Sequence, residues 1–116
     1  TFGHAFESMS RYAIPHGTAV AMGTIVANRI SVSRGWMTEL IAQRIENVLY
    51  QIIHIDKQSI AVSMDDIISA IRKDKKQTSS SLTAVLMRGE DLALEIVHDV
   101  EPGEIAAAVS YLFSRI

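Results

Sequence analysis

Apolar residues recur at helical spacing along much of the chain. Small and apolar side chains fill the stretch from His16 to Val32, which predicts a well-buried helix with Pro15 at or just before its first turn. After a break at 33–35, apolar residues repeat at intervals of three and four, which predicts an amphipathic helix running to about Ile53. These apolar positions are Leu40, Ile41, Ile45, Val48, Leu49 and Ile52.

The C-terminal half predicts shorter elements. Ser63 favours a helix start, because two aspartates follow it in the first turn. Two β-leaning runs, Leu82–Met87 and Leu92–Val97, flank a glycine-containing turn and predict a small hairpin. Pro102 begins a closing helix with an apolar stripe formed by Ile105, Ala108, Val109, Leu112 and Ile116. We therefore expect a mainly α fold, a helical bundle with one small β-hairpin, in a single helical domain over residues 1–116.

Composition narrows the classes of function. The 116 residues are 48% hydrophobic, enough for one modest core, and the net charge of −2 predicts neither nucleic acid nor a membrane as partner. The chain has no cysteine, which fits a cytoplasmic location and excludes thiolate metal sites. Its longest apolar stretch, Ala19–Ile30, is interrupted by Thr24, Asn28 and Arg29 and is too short to span a bilayer.

Two segments near the N-terminus carry candidate chemistry. Thr1 to Glu7 reads T-F-G-H-A-F-E, and His16 to Gly23 reads H-G-T-A-V-A-M-G. Together they resemble the dehydroquinate-synthase-like sugar phosphate cyclases, whose pattern is N-F-G-H-T-F-G-H-A-x-E followed by H-G-x-A-V-A-x-G. The alternative register needs a histidine at position 8, which is a serine. We therefore align His4 with the second histidine of the family pair, which implies that the first would precede Thr1.

The resemblance implies that this chain is the C-terminal metal- and substrate-binding domain of an NAD- and zinc-dependent cyclase. Such an enzyme is a carbon–oxygen lyase of aromatic amino acid biosynthesis in the shikimate pathway. It oxidises a hydroxyl transiently, eliminates phosphate, reduces the carbonyl again and closes the ring of a phosphorylated sugar acid. NAD would be held mainly by an N-terminal α/β domain that this chain lacks. We therefore expect the chain alone to be inactive and to bind neither NAD nor zinc tightly.

The resemblance also assigns roles to individual residues. His16 aligns with a zinc ligand, and His4 with a residue that contacts substrate or handles a proton. Asp74-Lys75-Lys76 matches a family tripeptide, in which Lys75 would bind a phosphate or carboxylate while Lys76 stays on the surface. No residue is assigned to cofactor binding.

Several features leave the exact activity open. Thr18 stands where many family members have glutamate, and Thr24 where many have methionine, and these departures concern the substrate rather than the fold or the metal chemistry. Two alternatives to a cyclase domain are a non-catalytic helical interaction module on the same scaffold and a domain of an iron-type alcohol or glycerol-phosphate dehydrogenase relative. The Asp74-Lys75-Lys76 match counts against the dehydrogenase.

The first residues also predict association. Phe2, Phe6 and Met9 recur at intervals of four and three, which places them on one stripe of a helix. We expect this stripe to lack its partner in the present chain and to favour a homodimer or larger assembly.

Overall fold

Helix α2, His16–Ser33, lies at the centre of the fold. The computed structural model describes residues 2–10, 13–55 and 82–116, together with Asp66, Ser69 and Ala70. Three further helices and two strands fill the described ranges: α1 Phe2–Met9, α3 Glu39–Leu49, β1 Leu82–Arg88, β2 Ala93–Val100 and α4 Pro102–Phe113. Helices α1, α3 and α4 and strand β1 all pack on α2. The mainly α fold with one hairpin is thus confirmed, whereas the helix predicted after Ser63 lies mostly outside the described residues.

Two glycines set the distance between α1 and α2. A Cβ atom on Gly23 would lie 2.5 Å from the backbone nitrogen of Gly3, and a Cβ on Gly3 would lie 2.9 Å from the carbonyl oxygen of Ala19. Side chains larger than hydrogen would therefore push the two helix backbones apart. Ser10 closes the turn between these helices, since its hydroxyl donates to the Glu7 carbonyl and accepts from the Ile14 N–H.

The expectation that the α1 stripe lacks a partner in this chain is wrong for Phe2 and Phe6, while the side chain of Met9 lies outside the described part of the structure. Phe2 and Phe6 are buried within the chain, against α2, and the Phe6 ring lies 6.1 Å from the ring of Phe113, between centroids. The packing partners of these two phenylalanines are therefore supplied by this chain itself. Large apolar side chains are exposed elsewhere in the described part of the chain. They are Val20, Leu40, Val48, Ile52, Val85, Leu94 and Ile96.

Helix α3 differs from its prediction both in where it ends and in which side chains it buries most deeply. It stops at Leu49 rather than near Ile53, because the chain tightens into a turn and the Ile52 carbonyl accepts a hydrogen bond from Thr18 on α2. The fully buried side chains of α3 are Ala42 and Glu46, whereas Leu40 and Val48 are exposed.

A charged network explains why Glu46 is buried. Its carboxylate accepts from Arg29 on α2 at 2.5 and 3.0 Å and from the Tyr111 hydroxyl on α4 at 2.8 Å. Burial, together with this hydrogen bond, raises the pKa of Tyr111 to about 12. Both carboxylate oxygens of Glu39 accept from the Nη1 atom of Arg29, at 2.7 and 2.8 Å. The network joins three helices through one buried carboxylate.

The hairpin follows the prediction with shifted ends. Strand β2 begins at Ala93 because Leu92 adopts a left-handed backbone with φ of 55° in the turn, and it extends to Val100, which pairs with Leu82. Gly89 has φ of 82°, and its N–H donates to the Trp36 carbonyl, which ties the turn to the segment after α2. The alternation along β1 buries Leu82, Ala84 and Leu86 against the helices.

Helix α4 closes the core as its stripe predicts. Ile105, Ala108, Val109 and Leu112 are buried, whereas Ile116 lies beyond the end of the helix. Glu104 accepts from the Glu101 N–H at 3.0 Å and holds Arg34 through two bonds of 2.8 Å, and the hydrogen bond from Arg34 lowers the pKa of that carboxyl. In the described part of the chain, no helix is long and apolar enough to cross a membrane.

Candidate functional site

A cleft of about 610 Å³ lies between α1, α2 and the hairpin. Helix α1 contributes His4 and Glu7, and α2 contributes His16 at its first residue. Val85 and Met87 on β1 form part of the opposite wall. Both sequence segments that carry the histidines therefore contribute to one concave surface.

His16 and Glu7 form the best-defined polar contact of this cleft. The Nδ1 atom of His16 lies 2.5 Å from Oε1 of Glu7, nine residues earlier in the chain. The His16 side chain is 79% exposed, whereas the Glu7 side chain is only 14% exposed. The carboxylate of Glu7 on α1 is thus paired with the imidazole of His16 on α2.

His4 lies on α1, one helical turn before Glu7, and is exposed at the same cleft. Its position is compatible with contact to a molecule in the cleft, which is the role that the sequence predicts. The structure thus brings His4, Glu7 and His16 together. Lys75 and Lys76 lie outside the described residues, so the predicted place of Lys75 at this site stays a prediction.

These side chains fall short of a complete metal site. Within the described ranges, no group of three or more His, Cys, Asp or Glu side chains is arranged to hold a metal ion. His16 nevertheless has the chemistry of a single ligand, because an imidazole with one nitrogen against a carboxylate retains a second nitrogen as an acceptor. A catalytic zinc site typically uses three protein ligands, so further ligands would have to come from elsewhere.

The cleft also contains residues that the motif analysis did not select. Asn28 is buried in its wall, and its amide nitrogen has no acceptor among the described residues. Thr24 lines the same wall and donates its hydroxyl to the Val20 carbonyl at 2.9 Å. The signal for both was present in the sequence, because they interrupt an otherwise apolar helix. No sequence pattern indicated that Val85, Met87 and Leu94 would line the cleft, because these strand residues reach it only through the tertiary fold.

Comparison with known proteins supports the motif resemblance. Residues 1–77 match the family described as 3-dehydroquinate synthase C-terminal. A 3-dehydroquinate synthase of Desulforamulus reducens is 33% identical over 111 residues, which cover 95% of this chain and 31% of the relative. The chloroplastic 3-dehydroquinate synthase of Arabidopsis thaliana is 37% identical over 92 residues, covering 77% of this chain and 20% of the relative.

A third relative combines two activities in its name and is again much longer than this chain. The bifunctional 3-dehydroquinate synthase/phosphatase of Fusobacterium nucleatum is 33% identical over 91 residues, covering 78% of this chain and 14% of that protein. The chain thus spans about a third or less of the length of these relatives. The family match covers both histidine segments and the Asp74-Lys75-Lys76 tripeptide. On this evidence the chain belongs to the 3-dehydroquinate synthase family and corresponds to its C-terminal domain.

Proposed function

We propose that this chain is the metal- and substrate-binding domain of an NAD- and zinc-dependent sugar phosphate cyclase resembling 3-dehydroquinate synthase. The observation that carries this proposal is that the histidines of both motif segments, together with Glu7, line one cleft. The proposed substrate is a phosphorylated sugar acid, and the proposed reaction eliminates phosphate and closes a ring. An N-terminal α/β domain is proposed to form the other wall of the site and to bind NAD.

In this proposal His16 is one of the zinc ligands. Its ring is exposed at the cleft and holds one nitrogen against Glu7, which fits a neutral imidazole that offers its second nitrogen to a metal. The remaining ligands would be supplied by the rest of the parent protein. When bound, zinc supplies Lewis-acid polarisation of a substrate oxygen.

His4 and Lys75 complete the proposed set. His4 is exposed on the same helix as Glu7, where an imidazole can accept or donate a proton near neutral pH. Lys75 would bind the phosphate or carboxylate as a flexible cation. The apolar wall formed by Val85 and Met87 would limit access of water to the substrate.

The family assignment favours this reading over an iron-type dehydrogenase domain. A non-catalytic interaction module on the same scaffold is the competing proposal, and an activity measurement separates the two. We further propose that the parent protein forms a homodimer or larger assembly. With the stripe on α1 buried, that proposal relies on the exposed apolar side chains of α3 and the hairpin.

Phosphate release by the full-length parent protein tests the proposed function. With NAD and zinc, we expect the wild-type protein to release inorganic phosphate from a phosphorylated sugar acid. Lys75→Ala should lower kcat/KM by about 10- to 150-fold, because a charge-assisted hydrogen bond contributes roughly 1.5–3 kcal/mol. Lys76→Ala, the matched control, should change kcat/KM by less than about fivefold, as expected for a solvated lysine.

Two results would contradict these expectations in different ways. A zinc-loaded wild-type protein that releases no phosphate from any phosphorylated sugar acid would favour the non-catalytic module. Equal losses in Lys75→Ala and Lys76→Ala would refute the role of Lys75 and leave the reaction class standing.

Zinc titration of the isolated 116-residue chain provides a second prediction. We expect binding no tighter than that of a surface histidine, because His16 supplies one bond where stable sites use three or four. Isothermal titration calorimetry measures the affinity and stoichiometry directly. Tight one-to-one binding that disappears in His16→Ala would show instead that this chain holds a complete site.

A further inference from the structure

The contact between Glu7 and His16 links two helices at the mouth of the cleft. Glu7 lies in the last turn of α1, and His16 is the first residue of α2. Their side-chain atoms Oε1 and Nδ1 are 2.5 Å apart, so the carboxylate and the imidazole are in direct hydrogen-bond contact. The two side chains differ in exposure, since the carboxylate is 14% exposed and the imidazole 79%. The carboxylate is therefore the more buried of the two partners.

The position of Glu7 is set by the packing of α1. Gly3 and Gly23 bring the backbones of α1 and α2 into direct contact, and Phe2 and Phe6 are buried beside that contact. The Ser10 hydroxyl also donates to the Glu7 carbonyl and so holds the end of the helix. A carboxylate held in this way offers a fixed acceptor to an imidazole that is otherwise exposed to solvent.

This geometry restricts the state of the imidazole. A neutral histidine carries one N–H donor and one acceptor nitrogen, whereas an ionised carboxylate can only accept. The nitrogen that faces Glu7 must therefore carry the proton, which leaves the Nε2 lone pair available. Histidine ligands of metals commonly donate their other ring N–H to a carboxylate, which fixes both tautomer and ring orientation.

We infer that Glu7 is a positioning residue that holds His16 as the Nδ1–H tautomer and directs its Nε2 atom to a metal. The part concerning the metal rests on the proposed function, whereas the tautomer does not. Neither the family match nor the names of the relatives assigns a role to Glu7. Its effect on the reaction is indirect, since it acts through His16.

Nitrogen-15 NMR of the isolated chain tests the tautomer. Long-range ¹H–¹⁵N correlation spectra, recorded at about pH 8.5 where imidazoles are neutral, distinguish the protonated from the unprotonated ring nitrogen. We expect the Nδ1–H form for His16 in the wild-type chain, and a mixed or Nε2–H form in Glu7→Ala. Ser8→Ala, the exposed neighbour on α1, is the matched control and should retain the wild-type pattern. If His16 of the wild-type chain is in the Nε2–H form, that spectrum alone overturns the inference.

Zinc affinity of the full-length protein tests the second step. Glu7→Ala should weaken zinc binding about 10- to 100-fold, while Ser8→Ala leaves it unchanged. Unchanged affinity in Glu7→Ala would overturn the positioning role even if the tautomer changes. A different result would refute the proposed function. In that case the His16→Ala protein would retain its zinc, while the NMR spectra would still show that Glu7 sets the tautomer of His16.

Discussion

Gly23→Ala is expected to lower the free energy of unfolding by about 3 kcal/mol or more, at the upper end of the cost of overpacking. The added methyl would lie 2.5 Å from the Gly3 nitrogen and 3.0 Å from its Cα atom, and both belong to a helix backbone that cannot rotate away. Helix α1 must then move off α2. Because Glu7 moves with it, the contact with His16 should be lost as well.

Gly17→Ala is the matched control on the same helix. A Cβ atom at Gly17 meets nothing within 4 Å, so the substitution should be neutral or stabilise by up to about 1 kcal/mol through helix propensity. Chemical denaturation of both variants measures the difference, and hydrogen exchange of the α1 amides shows whether that helix has separated. Equal stability of Gly23→Ala and the wild-type chain would contradict the close helix crossing.

Glu46→Ala should destabilise the chain by about 3–5 kcal/mol, the usual cost of removing one partner from a buried ion pair. The Glu46 and Arg29 side chains are 3% and 9% exposed, so the guanidinium would be left buried without its main acceptor. The Tyr111 hydroxyl would lose its acceptor in the same variant. Thermal and urea unfolding, compared at one pH, provide the measurement.

The control for Glu46→Ala uses the other carboxylate on the same arginine. Glu39 also binds Arg29, but its side chain is 52% exposed and its contribution is screened by solvent. Glu39→Ala should therefore cost less than about 1 kcal/mol. If the two alanine variants lose the same stability, the buried network does not have the importance that its geometry indicates.

The prediction for Glu46 concerns a residue that local sequence patterns do not identify. Glu46 has the polarity of a surface position, and the apolar repeat on α3 instead predicts burial centred on Ile41, Ile45 and Leu49, which are only half-buried. Its acceptor role depends on Arg29, 17 residues away, and on Tyr111, 65 residues away. The favourable energy of this network comes from partners that only the folded chain brings together, so a helical period cannot reveal it.

The same distinction applies to the candidate site. The family motifs selected His4 and His16, and the structure places both at one cleft. Spacing along the chain did not identify His16 as the partner of Glu7, because the turn between the two helices decides which side chains meet. Asn28 was visible only as an interruption of an apolar helix, and the sequence did not indicate that it would line the cleft.

Strong local signals were enough to predict a buried helix after Pro15, a hairpin around Gly89 and a closing helix from Pro102, and the motifs were enough to predict the family of the chain. Proline restricts φ, glycine permits positive φ and apolar periodicity favours one helix face, so each of these signals acts within a few residues. The tertiary structure alone decided which face of α3 is buried, what covers the α1 stripe and which groups share the cleft. Those outcomes depend on contacts between distant residues, where packing and charge pairing outweigh local preference.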